Sequence, residues 1–238
     1  MKRLGMAIIA FGLMAGQALA ATPTHKPAAK PAAQAVVKQA VMKKPAIPAA
    51  VIPATAPGLL PDMSLGNANA PVTVIEYASA SCPHCADWNK ENWATFEQKY
   101  LATGKVRYIF REVLTEPQQY ALSAFLVGRC AVAQSKTPAD ATPYFTVVHA
   151  FFNGQDTYYS SHQIGTVFAD VTAKTGMSKA AIDACIMDGP GFSGFMNNMR
   201  AHMAADGVRG TPTFFVNGKR VSTYEMKDIE AAIADASK

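Results

Sequence analysis

The sequence predicts an α/β fold into which a block of helices is inserted. A β-branched and aromatic run at residues 71–79 passes directly into a helical stretch and then into a second strand-like run at 105–113. Five helical stretches follow between 118 and 205 with no strand among them. The chain then returns to two short β-rich runs around Asn217-Gly218 and ends in one more helical stretch.

The 238 residues are 50% hydrophobic and 16% charged, too apolar for a disordered polymer. The net charge of +5 is unevenly placed: no acid precedes Asp62, and seven bases lie in the first 57 residues. From Gly58 onward 15 bases face 17 acids, which leaves no electrostatic footprint for nucleic acid. Residues 1–20 combine Lys2 and Arg3, an apolar stretch over 4–16 and the small-x-small Ala18-Leu19-Ala20. This is the pattern of a secretory signal peptide cleaved after Ala20. An uncleaved anchor is the alternative, although the run falls short of the ~20 apolar residues that a spanning helix needs. The cysteines Cys82, Cys85, Cys130 and Cys185 are then expected in the periplasm or another extracytoplasmic compartment, where disulfides persist. Residues 21–57 hold seven prolines, twelve alanines and five lysines, with no acid, aromatic or glycine, and read as a flexible tether. The proline-free stretch 32–44 could form a short oligomerisation helix, marginal on its own. The folded domain is expected over 58–238.

Taken in order, residues 71–79 read as a buried strand. A helix from 82 towards 100 places Trp93, Phe96 and Tyr100 on one buried face, and Gly104 stops it. A second strand over 105–113 completes a β-α-β unit, hence a parallel pair. Helices are expected at 118–134, 143–152, 163–175, 179–187 and 192–205. Residues 213–216 and 220–223 form a hairpin, and 225–236 the closing helix.

The chemistry lies in Ser81-Cys82-Pro83-His84-Cys85. Two cysteines three apart on a first helical turn can close a small ring, and Pro83 is pre-set for the first helical position. The Cys82 sulfur meets the unsatisfied N–H groups of the helix start, which favour the thiolate and make it the nucleophile. A drop of about three pKa units is worth about 4 kcal/mol, on the order of 90 mV in favour of the dithiol. His84 can donate to the thiolate or add positive charge. Zinc would want four ligands, and the chain has no second C-x-x-C pair, so neither a metal nor an organic cofactor is implied beyond the redox pair Cys82-Cys85. Once that ring closes, Cys130 and Cys185 are left as partners for a structural disulfide, which would enclose about 55 residues and stabilise by roughly 4 kcal/mol. Two buried free thiols are the alternative. Met196, Met199 and Met203 recur at helical spacing and read as core rather than as a peptide groove.

Residues 76–85 (EYASASCPHC) and the distant 210–218 (GTPTFFVNG) together resemble the DsbA-like branch of the thioredoxin superfamily, of the DsbA and BdbD type. The resemblance covers about 65–238 and implies a thioredoxin fold with its helical insertion at about 115–206. It implies that Pro212 is a cis-proline facing the pair, with the Thr211 backbone beside it to hold an extended substrate. It also implies that Glu76 is the buried acid beneath the pair. A carboxylate in such a strand is costly unless used, and through water it could exchange a proton with Cys85.

The expected activity is that of an extracytoplasmic thiol:disulfide oxidoreductase acting on newly exported or unfolded proteins with free thiols. By resemblance, a DsbB-like membrane quinone reductase would reoxidise it. A disulfide isomerase or reductase, oligomerised by the N-terminal extension, is the competing reading. A thiol-binding chaperone or copper-handling module is a third.

Overall fold

The computed structural model describes residues 60–137, 139–187 and 190–238. The signal peptide expected over 1–20, the tether over 21–57 and the domain start at 58 lie outside these residues.

The strands are Met63–Gly66 (β1), Val72–Ala78 (β2), Val106–Glu112 (β3), Thr213–Val216 (β4) and Lys219–Arg220 (β5). They form one sheet in the order β1-β3-β2-β4-β5, with β2 and β3 parallel and every other pair antiparallel. Alternation sends Val72, Val74, Glu76, Tyr108, Phe110 and Phe214 to one face. Ile75, Tyr77, Ile109 and Phe215 go to the other. Both faces are covered, and β2 and β3 accordingly carry apolar residues on each of them. The short edge strand β1 was not expected, because four residues (MSLG) carry too little alternation to register.

Seven helices complete the described domain: Pro83–Phe96 (α1), Gln118–Ala133 (α2), Thr142–Ser161 (α3), Gly165–Thr175 (α4), Lys179–Met187 (α5), Pro190–Asp206 (α6) and Met226–Ala236 (α7). Helix α1 runs into a π-type turn, Glu97–Leu101, that keeps Tyr100 buried. Helices α2 to α6 occupy the chain between β3 and β4, so the inserted helical block is present.

Two boundaries differ most from expectation. The helix expected to stop at 152 runs nine residues further, to Ser161, and closes at His162 in the left-handed region (φ 55°). Asn153-Gly154 looks like a stop, yet Gly154 sits where a Cβ would come within 2.5 Å of Val167 Cγ2. The glycine lets α3 and α4 touch rather than ending α3. The hairpin turns on Asn217 (φ 42°) and Gly218 (φ 78°), and its second strand is Lys219–Arg220 instead of 220–223. A two-residue turn with both φ positive fixes that register.

Cys130 in α2 and Cys185 in α5 are joined as a disulfide. Met196 and Met199 pack against the main core and Met203 against the smaller cluster on the other sheet face.

A buried charge network ties α2 and α3 to the sheet. Arg129 of α2 donates from Nε to Glu112 Oε1 at 2.9 Å and from a terminal nitrogen to Oε2 at 2.7 Å. The Tyr144 hydroxyl of α3 donates to the same Oε1 at 2.9 Å. Replacing Arg129 with Met keeps the volume but strands the Glu112 carboxylate. Urea unfolding of Arg129→Met should show a loss of roughly 3–5 kcal/mol. A loss under 1 kcal/mol would show that the carboxylate is not held by this pair.

Candidate functional site: a dithiol at a helix start

Strand β2 delivers the chain to the start of α1 through a tightly bonded turn. The Cys82 N–H donates to the Ser79 carbonyl at 3.0 Å, and Cys82 becomes the N-cap with extended backbone (φ −80°, ψ 120°). Pro83 opens the helix, where its missing N–H costs nothing. Ser81 Oγ donates to the Thr115 carbonyl at 2.7 Å, and the Thr115 N–H donates to Ser79 Oγ at 3.2 Å, so the loop after β3 holds the turn from below. Helix α3 holds it from the side. The buried Gln155 Nε2 donates to the carbonyls of Ala80 (2.8 Å) and Cys82 (3.2 Å), and the Tyr159 hydroxyl donates to that of Ser81. Three successive carbonyls are thereby bonded to α3.

Both cysteines are thiols in this structure. Cys82 is lowered from the ordinary 9.0 to about 6. Its largest cause is the hydrogen bond from the Cys85 thiol; the Thr211 side chain and the backbone N–H groups of Cys85 and His84 add to it, and burial opposes it. Cys85 moves the other way, well above 9.0, through burial first and then its bond to Cys82 and the charges of Cys82 and Glu76. A pair so divided is chemically suited to have one sulfur as nucleophile and the other as proton holder.

Glu76 lies wholly buried in β2, and burial raises it from 4.5 to about 8, with a further push from Cys82. Its hydrogen-bond donor is the hydroxyl of Tyr108 on β3. On the opposite side of the pair, the Thr211-Pro212 peptide is cis, and the Cys82 thiol donates to the Thr211 carbonyl at 3.4 Å. The exposed His84 imidazole stacks on Tyr224 at 5.9 Å.

The fold therefore brings Cys82, Pro83, His84, Cys85, Glu76, Thr211 and Pro212 to one place, although Cys82 and Thr211 are 129 residues apart. Cys130 and Cys185 bond each other in the helical block. Tyr108, Gln155 and Tyr159 escaped the sequence reading. Tyr108 is one aromatic among several in an apolar strand, and the other two lie at or past the expected end of α3, where their i, i+4 spacing had no helix to act on.

The shifts set the pH dependence of the dithiol form. Glu76, raised in the folded state, contributes stability that is complete below 4.5 and lost as pH rises to about 8. Cys82, lowered in the folded state, contributes stability present above 9.0 and lost as pH falls through about 6. The two slopes oppose each other between 6 and 8. Glu76→Gln removes the first, so under reductant its urea stability should climb steadily from pH 6 to 9 while the parent changes less. A flat profile for the variant would contradict the lowered Cys82.

The profile of the family described as Thioredoxin matches residues 59–235. A Rickettsia bellii protein named for protein-disulfide oxidoreductase activity is 29% identical over 175 residues, 74% of this chain and 64% of that one. A counterpart from Rickettsia prowazekii is 27% identical, over 74% and 61%. The chain thus spans less than two thirds of these curated relatives. Among solved structures, alpha-DsbA1 of Wolbachia pipientis matches with TM-score 0.63 at 26% identity, covering 74% of this chain and 90% of that one. BdbD of Bacillus subtilis matches with TM-score 0.63 at 20% identity, over 74% and 92%, a likeness of fold. With β2, α1 and the cis-Pro212 loop assembled around a C-x-x-C pair and helices inserted before β4, this chain belongs to the thioredoxin family in its DsbA-like form.

Proposed function

We propose that this protein is an extracytoplasmic thiol:disulfide oxidoreductase that passes a Cys82–Cys85 disulfide to exported proteins carrying free thiols. The observation that carries the reading is the split of the pair, with Cys82 held near 6 and Cys85 pushed well above the ordinary thiol value. A stabilised Cys82 thiolate favours the dithiol and so makes the disulfide a strong oxidant. The protein-disulfide oxidoreductase name borne by the Rickettsia relative supports the coarser activity.

In the proposed reaction a substrate thiolate attacks Cys82 Sγ, the Cys82–Cys85 bond breaks, and its electron pair leaves on Cys85, which takes a proton. The substrate's second thiolate then attacks the substrate sulfur of the mixed disulfide. Cys82 departs as the stabilised thiolate, and the substrate keeps the new disulfide. Thr211 would pair with the extended substrate beside the cis-Pro212 peptide. The leader pattern of residues 1–20 and the Cys130–Cys185 disulfide support an oxidising compartment. No helix among the described residues is long and apolar enough to cross a membrane. Reoxidation would fall to a membrane quinone reductase of the DsbB type.

Thiolate absorbance of the dithiol protein should titrate with a midpoint of about 6. The potential of the pair should then lie well above the ~−270 mV of thioredoxin. A potential at the thioredoxin value would turn the assignment towards a reductase. Loss of oligomerisation and of scrambled-disulfide repair on deleting residues 21–57 would favour the isomerase.

A further inference from the structure

We propose that Tyr108 is a positioning residue that fixes where the Glu76 proton sits, so that it can be given to Cys85 as that sulfur leaves; this rests on the oxidoreductase reading above. Tyr108 and Glu76 share one face of the sheet on neighbouring strands, since Val74 pairs with Tyr108 and Glu76 with Phe110. Both side chains are 2% exposed. The Tyr108 ring is packed against Trp93 (5.1 Å), Phe96 (5.7 Å) and Phe145 (5.8 Å), which leaves its hydroxyl little freedom to turn elsewhere. That hydroxyl makes one hydrogen bond among the described residues, donated to Glu76 Oε2.

A buried phenol needs an acceptor, and Glu76 Oε2 is the one in reach. With Oε2 occupied as acceptor, the proton of a neutral carboxyl resides on Oε1. Attack by substrate thiolate on Cys82 forms one S–S bond and breaks another, leaving an electron pair on Cys85. The Oε1 proton passes to Cys85 Sγ, directly or through one water, and the charge remaining on Glu76 is stabilised by the Tyr108 O–H. No further oxidant or reductant is needed. The interaction strengthens when the carboxyl becomes charged, which is the direction a proton donor requires.

The test is Tyr108→Phe, which removes the hydroxyl and keeps the ring contacts, with melting temperature read alongside. Infrared titration of the carboxyl, in the dithiol and in the disulfide protein, should move upward by about one to two pH units, the size expected for losing a hydrogen bond to a charged group. The alkaline fall in the rate of oxidising a two-cysteine peptide should move up with it. Glu76→Gln should abolish that fall, and adding Tyr108→Phe to it should change the profile no further. A Tyr108→Phe protein whose carboxyl midpoint and rate profile superimpose on the parent's would make Tyr108 a packing residue and overturn the proposal. If the parent oxidises no peptide at any pH, the oxidoreductase reading falls instead, and the infrared shift separates that failure from the first.

Discussion

One negative charge, the thiolate at the N-cap of α1, sets the terms for everything around it. Its stabilisation comes from short-range donors: the Cys85 thiol, the Thr211 side chain and the N–H groups of the first helical turn. Such donors act only when Cys82 is held as the N-cap of α1. The bonding of the carbonyls of Ala80, Ser81 and Cys82 to Gln155 and Tyr159 holds that turn in place. The inserted helices thereby have a local task, because α3 supplies both side chains.

The same requirement reaches through the sheet to its other face. Thr211 must stand beside Cys82, so the loop that carries it must be fixed at both ends. At one end β4 pairs with β2, from Thr213 opposite Tyr77 to Val216 opposite Val74. At the other, the end of α6 is held by a buried cluster. Arg111 donates to Asp206 at 2.8 Å and to the Tyr77 hydroxyl at 2.8 Å, and Tyr77 donates to Asp206 at 2.5 Å. Arg111 and Tyr77 point away from Glu76 because alternation along β2 and β3 assigns them to the opposite face. One pair of strands thus serves the carboxyl on one side and the anchoring of the cis-Pro212 loop on the other.

What could be read from the sequence follows from how local each signal is. The β2-α1-β3 unit, the Cys-Pro-His-Cys turn and the Asn217-Gly218 hairpin are written in consecutive residues, so they were legible. The cis-Pro212 loop and Glu76 were legible only through resemblance, since no periodicity links positions 76, 82 and 212. Tyr108, Gln155 and Tyr159 act across the fold on backbone and side-chain atoms of other elements. Their residue types are compatible with ordinary core or helix surface, and only the packing gives them partners. The extension of α3 past 152 was illegible for a related reason: the smallness of Gly154 serves α4, which the local pattern around it does not show.

The dry interior also explains why electrons and protons would move together here. A thiolate on Cys82 exists only when the pair is reduced, and its charge is one of the causes that raise Glu76. Reduction therefore makes the carboxyl hold its proton more tightly, and oxidation loosens it. In water two unit charges 4 Å apart interact by only about 1 kcal/mol, and burial strengthens such a coupling. Glu76 is a poor residue for stability, since burial alone opposes its charged form. Under the proposed reaction, its place in β2 would let a change at sulfur be felt as a change in proton affinity beneath the start of α1.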